Sequence, residues 1–144
     1  MYGEYQKDGT WKEMFLRTDG RLNRKRYIKR TLLLCAVAIV AAVITALLFT
    51  DAETGLTVAG SVVLLAVILG VYVVSFCLNV RRLHDLNMNK DLAVAIIVTS
   101  VIATLSEGSL ISDLLSLFNF GVGIFLMAKC GTTGDNDYGA DPLG

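Results

Sequence analysis

Two long runs without a charged residue constrain this chain most. Leu32 to Phe49 gives 18 consecutive uncharged residues, and Leu56 to Val80 gives 25. A helix rises about 1.5 Å per residue, so about 20 residues cross a hydrocarbon core of about 30 Å. Neither run has a polar face recurring at helical spacing, as a soluble amphipathic helix would. Both runs are therefore predicted to span a membrane.

The second half of the chain contains two shorter uncharged runs. These are Leu92–Ser106 and Leu114–Ala128, each of 15 residues. Extending the last run back to Ser109 gives 20 residues and includes one acidic residue, Asp113. Two further spans joined by the polar turn 106–109 are predicted. The alternative is a re-entrant helical hairpin, which would leave the C-terminus on the same side of the membrane.

The charged residues are separated along the chain although they balance overall, with 13 Lys+Arg and 13 Asp+Glu. A hydrophobic fraction of 54% excludes an intrinsically disordered chain. Nine basic residues precede residue 31, three lie in the 81–91 connection, and Lys129 follows the last span. The first and third connections carry only acidic residues. The positive-inside rule therefore places both termini and the 81–91 connection in the cytoplasm.

The predicted fold is all-α, a polytopic membrane protein with a small four-helix transmembrane bundle and an N-terminal interfacial helix. Residues 1–30 form a cytoplasmic amphipathic and basic segment, and residues 130–144 form a cytoplasmic tail. The transmembrane domain covers residues 31–129, with spans at about 32–50, 56–80, 92–106 and 109–128. Because thirty residues precede the first span, it is interpreted as a permanent anchor and not as a cleaved signal peptide. The Gly-rich tail is expected to be either disordered or folded back on the cytoplasmic face.

The N-terminal segment carries two helix-start signals. Thr10–Glu13 has the spacing of a capping box, and Trp11 and Phe15 share one helical face. These two aromatic residues are expected either to insert into the membrane interface or to pack on the bundle. Asp19 or Asn23 is expected to cap a second helix that continues into the first span.

The chain offers few residues for chemistry, and no catalytic residue, metal site or cofactor is assigned. The single histidine, His84, precedes Asp85, which allows a catalytic-dyad hypothesis. Adjacent helical residues do not face each other, so the favoured interpretation is that both cap a helix end and pair with arginines. The three cysteines show no metal-ligand spacing and are interpreted as packing residues; they are Cys35, Cys77 and Cys130.

Partners are inferred from the charges and from small residues in the spans. The basic residues would face anionic phospholipid headgroups, each contributing about 1 kcal/mol of attraction at the surface. Topology alone accounts for most of them, and a specific phospholipid site is the alternative. Alanines at positions 38, 42 and 46 and glycines 121 and 123 let helices approach closely, either within the chain, in a homo-oligomer or against a membrane-protein partner. No nucleic-acid binding is expected, because aromatic residues are not interleaved with the charges.

The acidic tail offers oxygen atoms at alternate positions from Asp135 to Asp141. It lacks the downstream glutamate and the flanking helices of a calcium loop. The preferred interpretation is that its carboxylates form ion pairs with arginines; the arginines considered are Arg21, Arg24, Arg81 and Arg82.

Three motifs together carry a family resemblance: Gly20–Tyr27 before the first span, Arg81–Asp85 after the second, and Gly134–Pro142 in the tail. Their order and spacing resembles domain-of-unknown-function family 805, a family of bacterial inner-membrane proteins, over roughly residues 11–144. The resemblance implies four spans in the bacterial inner (plasma) membrane and no established activity. The chain departs from the family after the His-Asp pair, where Asn89–Asp91 replaces a Ser-Gly-Trp sequence, and at Asp137, where a basic residue is usual.

All three motifs lie on the predicted cytoplasmic side, so they are expected to converge on one polar site held by arginine–carboxylate pairs. The residues assigned to this structural or lipid-binding cluster are Arg21, Arg24, Arg81, Arg82, His84, Asp85 and Asp141. The favoured function is a non-enzymatic scaffold, regulatory or anionic-lipid-interacting module. One alternative is a small oligomeric channel or transporter. The other is a membrane enzyme that uses His84 and Asp85.

Overall fold

A computed structural model of the chain describes residues 5, 7–51, 53 and 55–143. The described part is helical apart from two short strands and one isolated bridge in the tail. The elements are α1 (Trp11–Phe15), α2 (Arg24–Phe49), β1 (Thr50–Asp51), β2 (Gly55–Leu56), α3 (Val58–Asp85), α4 (Asp91–Leu105) and α5 (Leu110–Ala128). The prediction of an all-α fold is confirmed.

Three helices, α2, α3 and α5, are long and apolar enough to cross a membrane, with 26, 28 and 19 residues. α4 has 15 residues and a length of about 22 Å, which is shorter than a hydrocarbon core of about 30 Å. Large apolar side chains on the long helices stay uncovered: Leu47 is 79% exposed and Val58 is 83% exposed. Contiguous apolar surface of this kind is unfavourable in water and compatible with lipid. These are the features of a helical membrane protein.

Polar caps set where the helices begin. Asn23 caps α2 by accepting a hydrogen bond from the Arg26 backbone N–H at 2.9 Å, so α2 starts well before the uncharged run. This confirms one of the two predicted caps. Ser109 caps α5 and also donates to the Ser106 carbonyl at 2.6 Å, which closes the predicted polar turn. α3 continues through Asp85, so half of the predicted 81–91 connection is helical.

The predicted capping box starts α1. The Thr10 hydroxyl accepts from the Glu13 N–H at 3.3 Å, and the Glu13 carboxylate accepts from the Thr10 N–H at 3.1 Å. Phe15 packs against the core, whereas Trp11 is 71% exposed and stacks on the Phe15 ring at 5.8 Å between centroids. One aromatic residue therefore packs on the bundle, as one interpretation predicted, and the other remains available to the interface.

α2 packs along α3, and α4 packs along α5. The connections at residues 50–57 and 106–109 form one end of the bundle, and the chain's two terminal segments meet α3 at the opposite end. We call this opposite end the base, comprising residues 8–30, 77–91 and 126–143. The main buried cluster lies here and consists of Leu22, Tyr27, Leu78, Val80, Leu83 and Leu126, together with Ala93 in the first turn of α4.

Candidate functional site at the base of the bundle

Asp85, at the end of α3, is a buried carboxylate held by two buried arginines, a group we call the Asp85 cluster. Its side chain is 2% exposed, Arg21 is 1% exposed and Arg82 is fully buried. Arg21 approaches Asp85 Oδ1 at 3.2 Å through both Nε and Nη2, and Arg82 Nη1 donates to Oδ2. Charged groups are buried at acceptable cost only when their hydrogen bonds are also satisfied.

The remaining donors of Arg21 contact backbone oxygens of the tail. Its Nη2 donates to the Thr132 carbonyl at 2.5 Å, and its Nη1 donates to the Gly134 carbonyl at 2.5 Å. The expected partners of this arginine in the tail were carboxylates, and the observed ones are carbonyl oxygens. Asp141 instead folds the tail itself, by accepting from the N–H groups of Gly134 at 2.7 Å and Leu143 at 2.9 Å. These hydrogen bonds, of which the one from Leu143 is the strongest influence, lower the pKa of Asp141.

Arg82 joins α3 to the end of α5. Its Nε donates to the Leu126 carbonyl at 2.8 Å, and its Nη2 donates to the Lys129 carbonyl. The last carbonyls of a helix have no partner within the helix, and a cation near them is favourable. Exposed Arg24 makes a similar contact, from Nη1 to the Ala128 carbonyl at 3.2 Å. Arg82 therefore caps α5 while it neutralises Asp85.

Backbone hydrogen bonds complete the connection between the terminal segments and α3. The Leu22 N–H donates to the Arg81 carbonyl at 3.0 Å, and the Thr132 N–H donates to the Asp85 carbonyl at 2.9 Å. Gly131 passes so close to the cluster that a Cβ atom there would lie 2.2 Å from Asp85 Oδ2. Sequence reasoning missed Thr132 and Gly131, because nothing in an irregular tail indicates which residue approaches a helix end.

His84 and Asp85 face different partners, as adjacent helical residues should. His84 Nδ1 lies 3.2 Å from the Gly20 carbonyl oxygen, and the imidazole stacks on the Tyr138 ring with centroids 4.0 Å apart. Asn136 fixes the same helix end by donating to the His84 carbonyl at 2.8 Å. Each side chain thus holds a different segment against the end of α3, and the geometry is that of a helix-end packing site.

Arg81 lies apart from Asp85 and belongs to a second group, the Asp8 cluster, which consists of Asp8, Arg17, Arg30 and Arg81. The Asp8 side chain is 2% exposed and has Arg30 Nη2 at 2.7 Å and Arg81 Nη2 at 3.0 Å. Arg17 Nη1 is 3.8 Å away. The expectation of one convergent site therefore needs correction: two arginine–carboxylate clusters lie side by side at the base.

The Asp8 cluster also fixes α1. Arg30 Nη1 donates to the Met14 carbonyl at 2.9 Å, and Arg81 Nη1 donates to the Glu13 carbonyl at 3.0 Å. Burial opposes ionisation of Asp8, but the hydrogen bonds and charges of Arg30 and Arg81 outweigh it, so the pKa of Asp8 lies below its ordinary value. No local pattern in the sequence distinguishes this aspartate from the other acidic residues near it.

Two groups of polar side chains form hydrogen bonds between helices. The Tyr27 hydroxyl donates to Asn79 Oδ1 at 2.8 Å, joining α2 to α3. The Thr99 hydroxyl donates to Asn119 Oδ1 at 2.8 Å, and Asn119 Nδ2 donates to the Ser100 hydroxyl at 3.1 Å, joining α4 to α5. These hydrogen bonds stabilise helix packing in an apolar environment.

The three cysteines are free thiols; Cys77 is buried, and Cys35 and Cys130 are exposed. Across the described ranges, no group of three His, Cys, Asp or Glu side chains is arranged to hold a metal ion. In the tail, the Asp135 and Asn136 side-chain oxygens accept hydrogen bonds from the N–H groups of Asp141 and Tyr138. The carboxylate-rich loop thus uses these oxygens to stabilise its own fold.

Comparison with known proteins identifies the family of this chain. No curated protein and no solved structure matches the chain. The protein-family model described as "Protein of unknown function (DUF805)" matches residues 15–140. The matched range includes the Asp85 cluster, Arg81 and almost the whole folded tail, and it covers most of the chain. The chain therefore belongs to the DUF805 family, as the three motifs indicated.

Proposed function

We propose that this chain is a multi-pass protein of the bacterial inner membrane with both termini in the cytoplasm. In this proposal it is a non-enzymatic module that binds anionic phospholipid through the cytoplasmic face of its base and presents that face to a membrane-protein partner. The observation that carries the proposal is the separation of charge between the two ends of the bundle.

Twelve of the thirteen basic residues belong to the base, and the other, Lys7, directly precedes it. The other end carries Asp51, Glu53 and Glu107 in its connections and Asp113 in the first turn of α5. Basic residues are retained on the cytoplasmic side of inner membranes. This distribution supports cytoplasmic termini. It also directs the positive end toward the leaflet surface that carries anionic headgroups.

Lysines and arginines of the base differ in their exposure to solvent. All six lysines and Arg24 are exposed, and every other arginine is buried or half-buried. Arginine suits buried ion pairs because its planar donors bind several acceptors at once, whereas lysine is a mobile, hydrated charge. The arginines therefore build the base, and the exposed charges, at about 1 kcal/mol each, are available to headgroups.

Four crossings are proposed in spite of the length of α4. A helix of about 22 Å can be accommodated by local thinning of the bilayer or by polar residues extending to the interface. The re-entrant alternative for α4 and α5 would leave both termini on the same side. Fusion of a C-terminal reporter that fluoresces only in the cytoplasm tests the orientation, and a periplasmic signal would contradict it.

The channel and enzyme alternatives have less support. Asn119, Thr99 and Ser100 hydrogen-bond to one another, so they serve helix packing before they could line a path. His84 and Asp85 contact different segments, and the catalytic hypothesis needs them to act together. Solute flux from protein-containing liposomes would revive the channel alternative.

Lipid binding is tested by titrating the detergent-purified chain with phosphatidylglycerol and with phosphatidylcholine, and by counting bound lipids with native mass spectrometry. The test variant replaces Lys12, Lys25, Lys29 and Lys90 with Gln. Because each exposed cation contributes about 1 kcal/mol, we expect its affinity for phosphatidylglycerol to fall by about tenfold or more. Equal binding of the two lipids by the wild-type chain would contradict the proposal.

A further inference from the structure

We propose that Arg17, Arg30 and Arg81 form a binding site for the phosphate group of an anionic phospholipid. In the described structure the Asp8 carboxylate occupies this site as an internal ligand, which the lipid displaces. The inference rests on the lipid binding proposed above and gives it a defined site that opens and closes.

Positive charge exceeds negative charge in the site. Arg30 and Arg81 contact the Asp8 oxygens within hydrogen-bond distance, at 2.7 Å and 3.0 Å, but Arg17 is 3.8 Å away. Arg17 directs its hydrogen bonds to Asp19, whose side chain is 72% exposed and therefore screened by solvent. Among the described residues, Asp8 is thus the buried carboxylate that faces these three guanidinium groups, and an anion with more charge and more oxygen atoms would satisfy them better.

One buried donor of the site, Arg81 Nε, has no acceptor among the described residues. Arg81 is 1% exposed, and its Nε has no hydrogen-bond partner within the described ranges of the chain. Buried unpaired donors are uncommon in folded proteins and unfavourable. The two oxygens of Asp8 already receive Arg30 and the Nη2 of Arg81. A phosphate group has additional oxygen atoms that can accept from a third donor.

The position of the site favours a lipid over a free anion. Arg30 lies immediately before the apolar surface of α2, which starts at Leu32, a side chain that is 60% exposed. Exposed Trp11 stands on α1, whose last carbonyls are held by Arg30 and Arg81. Basic residues next to an exposed tryptophan mark the headgroup level of a bilayer. A phosphate at this level is carried by a lipid.

The occupant and the site come from different parts of the chain. The DUF805 match begins at residue 15, so it contains the three arginines and starts after Asp8. The arginine site is thus a feature of the family region, and its carboxylate is supplied by the segment that precedes this region. This is the arrangement of an internal competitor for an external anion.

Trp11 can report the replacement of Asp8 by a phosphate group. When a phosphate group replaces Asp8, the segment that carries Asp8 and α1 loses its main ion pairs with the bundle. Trp11, the single tryptophan of the chain, stands on that helix, so its fluorescence follows the displacement.

The test compares the full-length wild-type chain with Asp8→Asn in detergent, titrated with short-chain phosphatidylglycerol, phosphatidylcholine and inorganic phosphate. Removing the internal competitor should lower the Kd for phosphatidylglycerol by about tenfold or more, since the site no longer spends most of its time occupied. Asp91→Asn is the matched control, because it removes the same charge from an exposed position of the base, where the carboxylate bonds to Asn89 and not to an arginine of the site. Its Kd should equal that of the wild-type chain.

Adding Arg30→Gln to Asp8→Asn should abolish the gain. If Asp8→Asn does not fold, wild-type chain gives a second measurement: phosphatidylglycerol, but not phosphatidylcholine, should shift Trp11 emission and speed amide exchange at residues 9–15. Equal Kd values for Asp8→Asn and Asp91→Asn, or no change at residues 9–15, would overturn the inference. An equal gain for inorganic phosphate would overturn the assignment to a lipid.

Different results would refute the lipid-binding function and the internal-ligand site. Wild-type chain that prefers phosphatidylglycerol, with no further gain in Asp8→Asn, would refute the internal-ligand site and leave the lipid-binding function standing. If the wild-type chain and Asp8→Asn each bind phosphatidylglycerol and phosphatidylcholine with equal affinity, the lipid-binding function itself is refuted.

Discussion

Gly131→Ala should destabilise the chain, although alanine is among the mildest substitutions. The added Cβ would lie 2.2 Å from Asp85 Oδ2 and 2.7 Å from Asp85 Cγ, far inside contact distance. Asp85 cannot rotate away freely, because Arg21 and Arg82 hold its two oxygens and the side chain is 2% exposed. Either the tail moves off the end of α3, or Asp85 moves off its arginines.

The size of the stability loss in Gly131→Ala depends on which of these two rearrangements occurs. Relief of overpacking costs about 1–3 kcal/mol, and separating one partner of a buried ion pair costs about 3–5 kcal/mol. The cheaper route sets the observed loss, so we expect about 2 kcal/mol and a decrease in Tm of several degrees, at about 2–4 °C per kcal/mol. Thermal unfolding in detergent, followed by circular dichroism, measures it.

Gly121→Ala is the matched control. Gly121 lies inside α5, and a Cβ there would meet nothing within 4 Å. Alanine is a better helix former than glycine by about 1 kcal/mol, so this variant should be neutral or slightly more stable than wild type. If the two variants unfold at the same temperature, the close approach of Gly131 to Asp85 does not limit stability, and the reasoning is refuted.

Three further outcomes are expected. Arg82→Lys should lower the free energy of unfolding by about 2–4 kcal/mol, because one ammonium group cannot reach Asp85, Leu126 and Lys129 together. The exposed control is Arg24→Lys, and an equally small loss in both variants would contradict this prediction. Tyr27→Phe should cost about 1 kcal/mol in chemical denaturation by removing the hydrogen bond to Asn79, and an unchanged midpoint would show that this bond contributes nothing. The pKa of Asp8 in the folded chain is below its ordinary value of 3.8, so its ion pairs stabilise the fold above that value and are lost as pH falls through the folded pKa. Tm of the wild-type chain should therefore fall more steeply below about pH 4 than Tm of Asp8→Asn. Parallel profiles of Tm against pH would exclude a stabilising role of ionised Asp8.

Local signals predicted the helical framework. Asn23 and the Thr10–Glu13 capping box act on groups three residues away, so the sequence alone shows them. The apolar runs likewise locate the long helices. α3 continues through the charged residues 81–85, beyond the end of the predicted span at residue 80. There the charges are neutralised by distant segments that periodicity does not reveal.

The division of the base into two clusters has a helical cause. Arg81 and Arg82 are consecutive in α3, so their side chains diverge by about 100° around the helix axis. One reaches Asp8 and the other reaches Asp85. The motif alone could have indicated two directions. The carbonyl acceptors at Thr132 and Gly134 could not be predicted, because they depend on the path of a tail with no regular structure.

Arg21 depends on carbonyls of the tail and Arg82 on carbonyls at the end of α5, which has a consequence for biosynthesis. The end of α3 is synthesised before residues 126–134, so Arg21 and Arg82 are made before the carbonyl acceptors that they bind in the complete fold. Closure of the base therefore has to follow the synthesis of α5 and of the tail up to Gly134. A nascent chain that ends before that point leaves these donors of Arg21 and Arg82 without the carbonyl acceptors of the complete fold.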